Sequence, residues 1–451
     1  MKIIIHRGTH QIGGCATEIS TDCTRMIIDM GKELNTDPNY KPKPLDIPGV
    51  TDNDGKIDAI LFTHGHPDHN GQLYQLADQN VPIYMGSLTK QIQLCIIQRN
   101  IDNNKKYKEI YPTLPEKDFS AQHKLILHSK TFSTSDHCPL KIGNISITPI
   151  HSDHSAWDSC MFLIHADGLR ILHTGDFRAH GHTGVQSMKT LQDRVGHVDI
   201  VITEATSLKS EIPPDAPLAA SPYAQTIKLP YPSSEMELEK IAADVFQNYR
   251  YTYVLAPATN IERIFSFYRA AVQCGKHIVC DSFQLQILKL IADHYAQDPD
   301  TCWTLPVIPL LTDDVMKDAM LQNTLAQNGF VMFVRKGAPF AELIKSFERS
   351  GSIMLYSMWD GYRTCVSEKD AKKLQAFIDL AENWSQLHVS GHATPEGIQQ
   401  LLDITTPDIV IPIHTEHPEI LTNIYPKDKV RLLEDGECFE VIQGFPAYPQ
   451  N

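Results

Sequence analysis

Residues 63–71 read Thr-His-Gly-His-Pro-Asp-His-Asn-Gly and follow directly on the apolar run Ile57-Asp-Ala-Ile-Leu-Phe62. The apolar run reads as a buried strand. A strand that empties into such a loop aims His64, His66, Asp68 and His69 at one small volume. Neutral imidazole and carboxylate are the ligands that zinc and similar divalent ions take. The stretch is therefore read as a metal site rather than a His-rich surface loop.

Further candidates lie at the ends of later strands. In Arg25-Met-Ile-Ile-Asp29-Met-Gly31, Asp29 suits an acceptor that orients a ligand from behind, although Asp before a turn is also ordinary turn chemistry. The run Ile145–Ile150 leads to His151-Ser-Asp-His154-Ser-Ala-Trp-Asp-Ser159, which offers two histidines, and Leu169–Thr174 leads to Gly175-Asp176. Later still come Val198-Asp-Ile-Val-Ile-Thr-Glu204, Leu387-His388-Val-Ser390-Gly-His392, and Pro407-Asp-Ile-Val-Ile-Pro-Ile-His414-Thr-Glu416.

These motifs, in this order, resemble the β-CASP subgroup of the metallo-β-lactamase-fold nucleases. The RNase J group is most similar, and the resemblance spans nearly the whole chain. It implies an α/β fold: a metallo-β-lactamase αββα sandwich interrupted by a β-CASP domain with a helix-flanked parallel sheet. The implied division is residues 1–206 for the first part of the metallo-β-lactamase domain, 207–385 for the insertion and 386–451 for the returning part. The pattern His-Ser-x-x-Asp-Ser matches at His154, with His151 as the alternative ligand. Two divalent ions are implied, zinc first and manganese second. His64, His66 and His154 would hold one, Asp68, His69 and His414 the other, and Asp176 would bridge them. Ions about 3.5–4 Å apart can share a hydroxide and stabilise both attacking and leaving oxygens.

By the same resemblance His392, backed by Glu204, would bind the scissile phosphate or protonate the leaving oxygen, and Asp68 belongs to the catalytic set. His388 and Ser390 would contact phosphate oxygens. RNA-cleaving members carry His where the DNA-repair branch carries Val, so His414 favours RNA. The expected activity is exo- or endoribonucleolytic cleavage of single-stranded RNA, leaving 5′-phosphate and 3′-hydroxyl ends. The rivals are a single-stranded DNA nuclease of the same fold, a hydrolase of small phosphodiesters or esters, and a non-catalytic binding subunit.

Composition sets outer bounds. With 451 residues, 42% of them hydrophobic, the chain can bury more than one core. The absence of a run of about 20 apolar residues excludes a membrane helix. Ten scattered Cys without C-x-x-C spacing read as reduced thiols, which implies a cytoplasmic protein. A formal charge of −14 demands that any RNA path be locally basic. Lys105-Lys106-Tyr107-Lys108, read as part of an irregular stretch, is the visible basic run; it reads as a solvated loop, with an RNA contact as the alternative.

Helices are expected near 69–79 and 87–100. The Pro-rich stretch from Glu211 to Pro232 suits an extended connector. Ser234-Glu-Met-Glu237 is a capping box. Strands and helices then alternate from Tyr251 to Tyr356, the pattern of a parallel sheet. Trp359 and Tyr362 read as core aromatics or as platforms for bases. Asn260 reads as a plain N-cap, and His180 and His182 as exposed loop residues. Only 35 residues follow Glu416, so the further C-terminal domain usual in RNase J is expected to be missing or reduced, which leaves the homodimer implied by the family open.

Overall fold

The computed structural model describes residues 1–34, 40, 42–110, 119–135, 138–208, 223–297, 301–364 and 366–441. The chain divides into two compact units. One comprises Met1–Leu34, Lys41–Ile212 and Gly391–Asn451; the other comprises Asn35–Tyr40 and Pro213–Ser390. His388 and Ser390 therefore belong to the second unit, whereas His392 and His414 belong to the first.

The first unit contains two sheets. One has seven strands in the order Cys438–Glu440, Lys2–Arg7, Ala16–Ser20, Arg25–Ile28, Ala59–Leu61, Ile83–Gly86 and Lys130–Phe132. The other has six, in the order Ile409–Ile413, Ile200–Glu204, Leu169–His173, Cys160–Ala166, Ile145–His151 and Leu140–Ile142. Side chains alternate across a strand, and the burial obeys that period. Ile3, Ile5, Met26 and Ile28 of the first sheet share one core with Ile200, Ile202, Ile409 and Ile411 of the second. Their neighbours Ile27 and Ile60 turn to a separate core with Ile97, Leu125 and Ile126 from the helices Ser87–Ile110 and Ser120–His128. Val201 and Val410 likewise meet Met188, Ile398 and Leu401 from the helices Gly184–Thr190 and Pro395–Thr405. Each sheet thus buries both faces, one against the other sheet and one against helices. This is the αββα sandwich, and its doubly buried strands explain why runs such as Ile-Val-Ile are continuously apolar.

Register positions the site. Leu169–His173, Ile200–Glu204 and Ile409–Ile413 are adjacent and parallel, so their carboxyl ends lie in one row. Ile145–His151 runs the same way, because two antiparallel pairings separate it from Leu169–His173. In the facing sheet Arg25–Ile28 and Ala59–Leu61 are also parallel.

The second unit has its own all-parallel sheet, ordered Gln225–Thr226, Asn383–Gln386, Ser352–Tyr356, Tyr251–Leu255, Phe330–Val334, His277–Cys280 and Leu310–Leu311. The alternation from Tyr251 to Tyr356 foretells its middle strands. Asn383–Gln386 and the two-residue edge strands were not anticipated, being too polar or too short to register as apolar runs. Ser234 caps the helix Glu235–Asn248 by accepting from the Glu237 amide at 3.2 Å, and Glu237 returns a carboxylate to the Ser233 amide at 2.7 Å.

Several expectations need correction. In place of a helix over 69–79 there is one turn, Pro67–Asn70, followed by a 3₁₀ turn, Leu73–Gln75. The helix expected to end near 100 continues as Ser87–Ile110 and takes up the Lys105–Lys108 run that was read as irregular. Residues 209–222 of the proposed Pro-rich connector lie outside the described residues. Trp359 and Tyr362 are not core residues: they are 48% and 53% exposed, with rings edge to face at 5.5 Å. His180 and His182, expected to be exposed, are half-buried.

Ile202 is fully buried between the two sheets. Ile202→Ala is expected to destabilise the first unit by about 2–5 kcal/mol, read as a lowered denaturation midpoint for that unit's transition.

Candidate metal centre

Each strand end delivers one piece of the site. Ala59–Leu61 runs into Thr63, His64 and His66, and the turn Pro67–Asn70 adds Asp68 and His69. That turn packs hard against the chain: a Cβ on Gly31 would lie 1.7 Å from the Asp68 carbonyl oxygen, so only glycine fits at position 31. The strand Leu169–His173 ends at Gly175, whose φ of +53° carries the chain into Asp176. Glu204 terminates its own strand, and His414 follows Ile409–Ile413 with a φ of 56°. A left-handed conformation is uncommon for a non-glycine residue and marks strain retained at a site.

The geometry brings the sequence candidates together. Asp176 Oδ2 lies 3.2 Å from His69 Nε2 and 3.8 Å from each of His64 Nε2, His154 Nε2 and His414 Nε2. Two donor groups emerge around it: His64, His66 and His154, and Asp68, His69, Asp176 and His414. Of the two competing histidines, His154 enters this cluster. The His151 ring lies instead 5.9 Å from that of Trp157.

The imidazoles are held by their far nitrogens. His69 Nδ1 donates to Asp29 Oδ2 at 2.8 Å, which is the orienting role proposed for Asp29. His154 Nδ1 donates to the Gly391 carbonyl at 2.6 Å. Thr63 Oγ1 donates to Asp29 Oδ2, so it accepts from His64 Nδ1 at 3.1 Å. Thr206 Oγ1 donates to the His414 carbonyl, so it accepts from His414 Nδ1 at 2.7 Å. An imidazole whose Nδ1 carries the proton presents a lone pair at Nε2. All four rings therefore offer Nε2 to the same volume.

That volume contains buried polar atoms that close no hydrogen bond: His64 Nε2, His69 Nε2 and both carboxylate oxygens of Asp176. Buried polar atoms are otherwise almost always satisfied, and lone pairs facing lone pairs call for a cation between them. The donor set fits divalent metal binding on its own geometry. Protons compete for the same role. Burial pulls the His69 pKa down, but the charges of Asp176 and Asp29 outweigh it and raise it well above the usual value. Burial and the neighbouring His69 and His154 hold His64 well below its usual value, in the neutral form a ligand needs.

Glu204 is placed differently. Its Oε1 accepts from the Phe177 amide at 3.0 Å and the Ala393 amide at 3.3 Å, and its Oε2 accepts from His392 Nδ1 at 3.0 Å. With both oxygens engaged it acts as a holder of His392. Burial lowers the His392 pKa, yet Glu204 and Asp176 more than compensate and carry it up to about 9.

Sequence reading passed over several contributors. Cys15 Sγ clusters with the ring nitrogens of His69 and His414, Arg178 is fully buried against Asp153 at 3.2 Å, and Thr63 and Thr206 set two tautomers. None carries a spacing signal, since each acts through folded proximity. In the second unit, His388 Nδ1 accepts from Arg263 at 3.0 Å, Ser390 is partly buried, and Asn260 is a plain cap on the Arg263 amide at 3.4 Å.

Residues 24–228 match a beta-lactamase superfamily domain, and residues 380–422 match a Zn-dependent metallo-hydrolase RNA specificity domain. Ribonuclease J of Helicobacter pylori is 22% identical over 99% of this chain and 61% of its own length. Ribonuclease J of Mycoplasma genitalium is 21% identical over 98% of this chain and 74% of its own. The chain thus spans about three fifths of the length of the Helicobacter relative. A solved protein of unknown function from Enterococcus faecalis superposes with a TM-score of 0.70 at 20% identity, covering 97% of this chain and 99% of its own. Among the described residues no helix is long and apolar enough to cross a membrane.

Asp29→Asn preserves the left-handed backbone at this position while removing the carboxylate that orients His69. Zinc affinity, titrated against a chromophoric chelator, is expected to fall about 10–100-fold with the circular dichroism spectrum unchanged.

Proposed function

We propose that the chain is an RNase J-like β-CASP protein of the metallo-β-lactamase fold, acting as a two-metal phosphodiesterase that cleaves single-stranded RNA; its matches to the two metallo-hydrolase domains and its similarity to ribonuclease J proteins support this reading. The observation that carries the reading is the buried Asp176 carboxylate, without a hydrogen bond at either oxygen and within 3.8 Å of four ring nitrogens drawn from both donor groups.

His64, His66 and His154 would hold one ion and Asp68, His69 and His414 the other, with Asp176 common to both. Imidazole and carboxylate donors suit zinc first and manganese second. Bound ions supply Lewis acidity, which readies water for attack and offsets charge at the transferring phosphorus.

The residues of the chain do the rest. Asp68 and Asp176 contribute negative charge that keeps the cations in a site otherwise costly to charge. His392 holds its Nδ1 proton against Glu204, so exchange with substrate takes place at Nε2. A group with pKa near 9 is a proton donor at neutral pH, suited to binding a phosphate oxygen and protonating the departing 3′-oxygen. The products would carry 5′-phosphate and 3′-hydroxyl ends. His388 and Ser390 are assigned to phosphate oxygens of the strand by the family resemblance. RNA is preferred over DNA on the strength of His414, and the free thiols of the described cysteines suit a cytoplasmic setting.

Product mapping tests this reading. A 5′-labelled single-stranded RNA incubated with the protein in zinc or manganese is expected to be cut, and a matched DNA is expected to be spared. Asp68→Ala and Asp176→Ala are each expected to abolish cleavage with the fold retained. Near-normal turnover by either variant would refute the ligand assignment. Equal cutting of both oligomers would refute the RNA preference.

A further inference from the structure

The second unit holds a buried charged network that no reaction step above uses. Arg263, in the first turn of the helix Ile261–Gln273, and Glu235, which opens the helix Glu235–Asn248, are both fully buried. Arg263 Nε donates to Glu235 Oε2 at 3.0 Å, and Nη2 donates to Glu235 Oε1 and to the Val389 carbonyl, each at 2.8 Å. Nη1 donates to Ser357 Oγ at 2.7 Å and to His388 Nδ1 at 3.0 Å. Ser357 passes its own proton to the Leu387 carbonyl. All five guanidinium N–H groups are thereby used.

The chemistry of the pair dictates the state of the histidine. A guanidinium has no acceptor and does not deprotonate in proteins, so His388 Nδ1 must be the acceptor. The ring is then neutral with its proton on Nε2. An imidazolium would set a second donor and a second positive charge against Arg263.

The position of the network matters as well. Arg263, Ser357 and His388 lie just beyond the carboxyl ends of Tyr251–Leu255, Ser352–Tyr356 and Asn383–Gln386, three adjacent parallel strands. From Tyr251–Leu255 the chain first builds one side of the sheet, to His277–Cys280 and Phe330–Val334, and then crosses to the other. A crevice outside the strand ends at such a reversal is where open α/β sheets bind ligands.

We propose that Arg263 is a positioning residue that locks His388 as a neutral Nε2–H donor for a phosphate oxygen of the RNA strand. The assignment of phosphate rests on the nuclease reading; the locked tautomer does not. Glu235 fixes the guanidinium, the guanidinium fixes the imidazole, and the imidazole binds without exchanging protons.

The test combines 15N-histidine NMR with kinetics on a single-stranded oligoribonucleotide. The His388 signals are identified by their loss in His388→Gln. In the wild-type protein they are expected to show a neutral ring protonated at Nε2. Arg263→Lys keeps a cation opposite Glu235 but loses the fork, and is expected to release the tautomer to a mixture. It should raise KM about tenfold or more, the loss of a hydrogen bond to a charged group, with a smaller change in kcat. His388→Ala should match it. A wild-type ring protonated at Nδ1, or doubly protonated at neutral pH, overturns the proposal. So does an unchanged tautomer in Arg263→Lys. Absence of any RNA cleavage by the wild type would instead refute the nuclease reading, and the NMR result would still decide the role of Arg263. If Arg263→Lys fails to fold, the wild-type spectrum decides alone.

Discussion

A carboxylate with no hydrogen bond closed at either oxygen, buried among five imidazole nitrogens, cannot be an incidental product of packing. Moving an ionised carboxylate out of water costs several kcal/mol even after relaxation, and Asp176 recovers none of that from protein hydrogen bonds. The compensation must come from positive charge, carried by protons on His69 or by divalent ions. The rest of the first unit can be understood as the scaffold that forces this charge into the interior. The adjacent parallel strands bring Asp176, Glu204 and His414 to one edge, and the facing sheet brings Asp29 and the His64–His69 turn to meet them. Two sheets with hydrocarbon on both faces give the strand ends little freedom to relax away from one another.

Orientation is then fixed one layer out. The Nδ1 protons of His64, His69, His154 and His414 go to Thr63, Asp29, the Gly391 carbonyl and Thr206. Without these acceptors each ring could flip or change tautomer and present N–H where a lone pair is required. Thr63 and Asp29 serve two rings at once, because Thr63 Oγ1 bridges His64 to the carboxylate that holds His69. This layer converts a cluster of histidines into a directional donor set.

The candidate ligands were legible because their chemistry is dense in sequence: three histidines and an aspartate within six positions, and single acids or histidines at the ends of apolar runs. The sandwich was legible for the same reason, since doubly buried strands are continuous hydrocarbon. Preferring His154 to His151 needed the motif; in the fold the His154 ring lies beside Asp176 and the His151 ring beside Trp157. Thr63, Thr206, Cys15 and the Gly391 carbonyl were invisible because any residue type can be brought beside a site by folding, and a carbonyl has no sequence signature at all. Helix limits failed where hydrophobic periodicity was weak: Ser87–Ile110 continues through a polar, basic segment that carries no apolar stripe. The strand Asn383–Gln386 failed from the opposite side, being buried yet polar in sequence.

Two charged networks of the chain, around Asp176 and around Arg263, illustrate different uses of burial. Around Asp176 the surrounding imidazoles are set to share their lone pairs or their protons with the carboxylate, and a divalent cation fits among them. Around Arg263 compensation is complete: every guanidinium proton has an acceptor and Glu235 neutralises the charge. A buried ion pair of that kind adds little net stability compared with hydrocarbon of the same volume. What it adds is a rigid donor at a defined place, since a guanidinium tied at Nε and Nη2 has no rotation left with which to move Nη1. An apolar replacement could preserve the fold of the second unit, but it would leave His388 free to take either tautomer. Retaining a costly charge there is intelligible if the orientation of that one ring, rather than the stability of the core beneath it, is what the network serves.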